Sequence, residues 1–118
     1  MNIDIIRGDT SCITFNIFTD NGKEYVLKEN DKLYFTVKKG FQFKNEILQK
    51  TYGNGISFNA TTKEYEINLS QIDTLKMEQG GYVYDIKIIL NFEGEKIVET
   101  LTKGLINVGI NATHKENE

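Results

Sequence analysis

Hydrophobic and polar positions alternate with a period of two along most of this chain. Ile13, Phe15 and Ile17 alternate with Thr14 and Asn16; Leu33, Phe35 and Val37 alternate with Tyr34 and Thr36. Tyr65, Ile67 and Leu69 do the same against Glu64, Glu66 and Asn68. The longest run sets Tyr82, Tyr84, Ile86, Ile88, Leu90 and Phe92 against a face carrying Asp85, Lys87 and Asn91. Successive side chains of a strand point to opposite faces, so each run predicts a strand with one buried and one wet face. One-sided burial of this kind belongs to antiparallel sheets sharing a core.

Turn residues punctuate the runs. Asp20-Asn21-Gly22 offers the positive φ of a tight hairpin, Gly53-Asn54-Gly55 and Glu93-Gly94-Glu95 are similar, and Gly80-Gly81 breaks the chain before the longest run. The pattern places strands near 2–6, 11–18, 24–27, 32–38, 46–52, 55–59, 64–69, 82–92, 95–103 and 105–110. Some of these merge, leaving about seven to nine. Regularly spaced short strands favour an all-β, antiparallel β-sandwich. Ser70-Gln71-Ile72-Asp73 reads as an N-cap with an acid three residues on, which predicts one short helical turn crossing between the sheets. The sandwich is expected over residues 1–110, and the polar, aperiodic stretch 111–118 is expected to be a flexible tail.

Composition narrows the function classes. A chain of 118 residues fits one domain, and its net charge of -3 argues against broad phosphate-backbone binding, so no nucleic-acid partner is expected. No run approaches the roughly 20 apolar residues of a membrane helix, so no membrane partner is expected either. The first residues lack the basic start and apolar core of a signal peptide, which predicts synthesis and retention in a cytoplasm. Cys12 is the single cysteine, which excludes an intrachain disulfide; its place in an alternating run predicts a structural thiol. There is no proline, so charged stretches such as Glu24 through Lys32 are left to protect free sheet edges.

Catalytic chemistry is not in evidence. The single histidine, His114, falls in the tail, where it cannot be held as a base beside a nucleophile. One Cys and one His cannot make a zinc site, and no glycine-rich phosphate loop precedes a helix. Glu64 and Glu66 share a strand face with Lys63 beside them, which reads as a solvated face. These readings predict no catalytic residues, no metal, no cofactor and no enzyme. Arg7-Gly8-Asp9 spells an adhesive tripeptide but is expected to be a wet turn between strands. Asn59-Ala60-Thr61 and Asn111-Ala112-Thr113 match the glycosylation sequon and, without export, are expected to be unmodified. Phe41 and Phe43 follow Lys38-Lys39-Gly40 where the pattern is weak. They either continue the strand or present apolar surface on a loop. With Lys39 they form the candidate interface.

Three stretches carry a family resemblance: Ile5-Ile6-Arg7-Gly8-Asp9-Thr10, Leu33-Tyr34-Phe35-Thr36-Val37-Lys38-Lys39, and Asp73-Thr74-Leu75 through Gly81-Tyr82-Val83-Tyr84-Asp85-Ile86. With them the chain resembles small virion proteins of tailed bacteriophages and prophages, in particular the immunoglobulin-like N-terminal module of upper baseplate proteins. The resemblance spans most of residues 3–108 and implies an immunoglobulin-like sandwich located in the virion. It implies a non-enzymatic structural component of a tail or baseplate, present in several copies or as a homo-oligomer among other virion proteins. It differs from a full baseplate protein in ending after one domain. Two other readings stay open: a small protein that binds and regulates a host protein, and a sugar-binding sandwich using Tyr34, Tyr52 and Phe43.

Overall fold

The computed structural model describes residues 2–110. The elements in chain order are β1 (Ile3–Ile6), β2 (Ser11–Phe15), β3 (Lys32–Lys38), β4 (Leu48–Tyr52), β5 (Gly55–Asn59), β6 (Glu64–Leu69), α1 (Gln71–Leu75), β7 (Gly80–Phe92) and β8 (Glu95–Gly109). Hydrogen bonds run through the strands in the order β1-β8-β7-β3-β4-β5-β6-β2. The β4–β5 link is only two parallel pairs, Thr51 with Gly55 and Tyr52 with Ile56, so the turn expected at Gly53–Gly55 closes no antiparallel hairpin; it needs positive φ at Gly53 and Gly55. The ladder folds over at that turn. One layer is β1-β8-β7-β3-β4, the other β5-β6-β2, and their inner faces share a core.

Alternation decides which side chains enter that core. Leu33, Phe35 and Val37 from β3 and Tyr84, Ile86 and Ile88 from β7 meet Ile13, Ile56, Tyr65 and Ile67 from the other layer. Each fully buried side chain of this size contributes about 1.5–3 kcal/mol. Phe35 packs on Tyr84 with ring centroids 5.7 Å apart, at the centre of the sandwich. Two residues before Tyr84, the Tyr82 hydroxyl donates to the Glu78 carbonyl at 2.9 Å. A tyrosine at the start of this strand, bonded back to the preceding corner, is the tyrosine corner of immunoglobulin-like domains. Strand order and corner together make this an immunoglobulin-like β-sandwich, without the disulfide that antibody domains carry.

The helical turn is where the sequence places it. Ser70 Oγ accepts from the Asp73 backbone N–H at 3.2 Å, and Asp73 Oδ2 accepts from the Ser70 N–H at 2.8 Å. α1 carries the chain from β6 in one layer to β7 in the other.

Several expectations are corrected. β1 pairs with β8 in parallel, Ile3 opposite Ile106, because nearly the whole chain separates them and no short turn forces them antiparallel. Residues 24–27 form no strand. The Asp20–Gly22 turn is present, but its arms meet only at the Phe18–Glu24 bridge. Beyond it the backbone is taken up by the Tyr65 hydroxyl, which accepts from Leu27 N–H and donates to the Tyr25 carbonyl. Glu24 through Lys32 therefore protects no edge. The strands expected at 95–103 and 105–110 are one strand; Gly104 stays in register opposite Tyr84, and the irregularity falls at Leu101, which is skipped between Thr100 and Thr102. Phe15 is half-buried and stacks on Tyr65 at 5.5 Å. Phe92, expected in the core, is 63% exposed, because β7 runs past the end of the opposing layer. Cys12 is exposed on the outer face of β2, so it is no core thiol. The expected tail, 111–118, lies outside the described residues.

Candidate interaction surface

The loop after β3 does leave the strand. Phe43 N–H donates to the Gly40 carbonyl at 3.1 Å, closing a turn, and Phe41 and Phe43 are 52% and 49% exposed. Lys39 is less available. Its ammonium donates to the Gly81 carbonyl at 3.2 Å and lies 4.4 Å from the centre of the Tyr82 ring. It acts as a tie between the loop and the start of β7. Phe41 lies beneath the Lys103 ammonium at 5.6 Å and borders a shallow hollow with Lys38, Val83 and Asp85. Val83 pairs across the ladder with Leu105, itself 50% exposed. Phe41, Val83 and Leu105 thus form an apolar stripe on the outer face of the β3-β7-β8 sheet.

A second apolar surface was not anticipated from the sequence. β7 and β8 are 13 and 15 residues long, so at ~3.3 Å per residue their hairpin outreaches the shorter strands opposite. β3 leaves off at the Lys32–Ile89 pair, and residues 91–100 are all exposed. The core side of this arm continues from Ile88 through Leu90, paired with Ile97, to Phe92. Under it lies an open groove of about 250 Å³ whose apolar lining includes Ile17, Phe18, Tyr25, Leu90 and Leu101. Asp20 and Glu99 border it and, among the described residues, no lysine or arginine does. The signal in the sequence was length: an alternation that runs on for three residue pairs after β3 has ended.

The polar candidates resolve mostly into structure. Arg7 donates through Nε to the Met77 carbonyl and through Nη2 to the Leu75 carbonyl, both at 3.0 Å. Gly8 N–H donates to Thr74 Oγ1, which in turn donates to the Asp9 carbonyl. The tripeptide is therefore a clip holding the β1–β2 corner to α1, and Arg7 is half-buried, not wet. Partial burial, then the carboxylates of Glu66 and Glu64, raise the Cys12 thiol above its usual range, which weakens it as a nucleophile. Glu66 accepts from the Asn59 amide at 3.4 Å, and Asn59 Oδ1 caps the turn at Thr61 and Thr62. Burial alone would raise the Asp31 carboxyl, but hydrogen bonds from Tyr25, Lys28 and Asn91 hold it below the usual range. Tyr34 and Tyr52 border one hollow of about 260 Å³ with Asp31 and Thr51; Phe43 does not line it. Among the described residues no cluster of three or more His, Cys, Asp or Glu could hold a metal ion, and no helix is long and apolar enough to cross a membrane. His114 and Asn111 lie outside the described residues.

No family model and no curated protein matches the chain. Among solved structures, it is similar to AggA, the major subunit of aggregative adherence fimbriae type I from Escherichia coli. Identity is 12%, 93% of this chain and 89% of that one are covered, and the TM-score is 0.34. Values at this level do not bear on what the chain does.

Proposed function

We propose that this protein is a non-enzymatic structural component of a bacteriophage tail or baseplate, acting in several copies through protein–protein contacts. The observation that carries the reading is apolar surface exposed on a rigid sandwich at two separate places, the Phe41–Val83–Leu105 stripe and the β7–β8 arm. Surface of this kind on a small domain marks contact with other proteins. Two sites per copy give a module that bridges neighbours. The virion setting rests on the resemblance of the 5–10, 33–39 and 73–86 stretches to baseplate modules. The location follows from it: the chain is made in the bacterial cytoplasm and incorporated into particles without export. Deleting its gene from an inducible phage should yield particles with missing or defective tails, restored by the wild-type gene. Normal, infectious particles from the deletion strain would overturn the assignment.

A second reading has one observation in its favour. The hollow shared by Tyr34 and Tyr52 offers aromatic rings beside a hydroxyl and a carboxylate, the side-chain types that hold sugars. Glycan-array binding lost on Tyr52→Ala would favour it.

A further inference from the structure

The arm has a free edge as well as an apolar face. β1 covers β8 only from Ile106 to Gly109, and β7 occupies its other side along the full length. Among the described residues, no strand pairs with the outer edge of β8 from Glu95 to Leu105. Natural sheets rarely leave so long an edge open, because alternate N–H and C=O groups stay available to another chain. The groove lies directly inside this edge, since Leu101 and Glu99 of β8 form one of its walls.

The side chains facing inward along the edge define what fits. Ile97 lies opposite Leu90 on the core side, and Glu95 and Glu99 share that side as the partners of Phe92 and Ile88. Leu101, the skipped residue, also lines the groove. The inner series along β8 is therefore Leu101, Glu99, Ile97, Glu95: apolar and acidic in alternation. Asp20 adds a third carboxylate at the far wall. A second copy is a poor occupant. In a two-fold contact the inner face meets itself, bringing these carboxylates together without a cation, because Lys96 and Lys103 of the same edge pair with Asn91 and Asp85 on the outer face.

We propose that the β8 edge from Glu95 to Leu105 takes up an extended segment of a different protein. Its inward side chains would alternate apolar and basic, a Leu-x-Lys-x-Leu-x-Lys pattern. The segment continues the sheet in line with β1. One apolar side chain enters the groove beside Leu101 and the next packs on Ile97 further along the arm, while its cations meet Glu99 and Glu95. The inference rests on the proposed role in assembly and specifies the partner's chemistry.

The probe is a fluorescein-labelled peptide of about nine residues, alternating Leu and Lys at odd positions with Ser and Thr between. A control peptide has Glu for each Lys. Anisotropy should show the Lys peptide binding at least about tenfold more tightly than the Glu peptide. Glu95→Lys/Glu99→Lys should reverse that preference. Both residues are exposed, so the fold is retained, which circular dichroism checks. Binding should also slow hydrogen exchange at alternate amides of 95–105. Equal affinity for the two peptides, binding of neither, or a preference unchanged in the double variant would overturn the proposal. So would self-association in sedimentation that the double variant abolishes. None of these results touches the presence of the protein in particles, which is measured separately.

Discussion

The Lys50 ammonium lies 2.8 Å from the Asp73 carboxylate, joining β4 to the N-terminal turn of α1. The same carboxylate closes the capping box on Ser70, so one side chain holds the helical turn and ties it to the sheet. Gly55 makes room for this contact, because a Cβ there would collide with the Lys50 side chain.

Asp73 should make stability acid-sensitive. Burial would raise its carboxyl, but hydrogen bonds from Lys50 and Ser70 outweigh that and hold it below the usual carboxylate range. A group whose folded pKa is lowered contributes in full above its unfolded pKa and loses the contribution as pH falls through the folded value. Stability should therefore decline below about pH 5, and Asp73→Asn should flatten that decline. At neutral pH the substitution should cost about 2 kcal/mol through the lost cap and the unpaired Lys50, read by urea denaturation.

Ile86 is fully buried in the core, beside its cross-strand partner Phe35. Ile86→Asp places an unpaired carboxylate there, at a cost of several kcal/mol, about the whole stability of a domain this size. The variant should be unfolded by circular dichroism. An unchanged melting curve would mean that this face of β7 points outward.

The corner bond of Tyr82 can be removed on its own. Tyr82→Phe keeps the ring that Lys39 covers and deletes only the hydroxyl bonded to Glu78. The expected loss is about 1–2 kcal/mol in thermal or chemical denaturation, with Lys39 still in place.

Phe41 and Phe43 should matter to assembly and not to folding. Both side chains are about half exposed, so Phe41→Ala/Phe43→Ala should shift stability by no more than about 0.5 kcal/mol. The same double variant should weaken incorporation into particles by more than about 1 kcal/mol, measured as competition with wild type during assembly.

The core was legible because period-two alternation reports the inner face directly: Leu33, Phe35, Val37, Tyr84, Ile86 and Ile88 are all buried. The capping box was legible because its residues lie within four positions. What could not be read was set by partners far along the chain. Phe92 continues the pattern of β7, but only the end of the opposing layer leaves it exposed. Arg7 looked like a turn residue, and its acceptors at Leu75 and Met77 lie 68 and 70 positions away. For the candidate interface, the exposure of Phe41 and Phe43 followed from the break in pattern after Gly40. The tie from Lys39 to Gly81 did not, since it depends on the β3–β7 register.

The most direct measurement is the copy number of this polypeptide in purified tailed particles from the strain that encodes it, by quantitative mass spectrometry against a known tail protein. The account predicts a fixed, stoichiometric number of several copies per particle. Intact particles without the polypeptide, with the protein instead recovered on a host protein from infected cells, would contradict it.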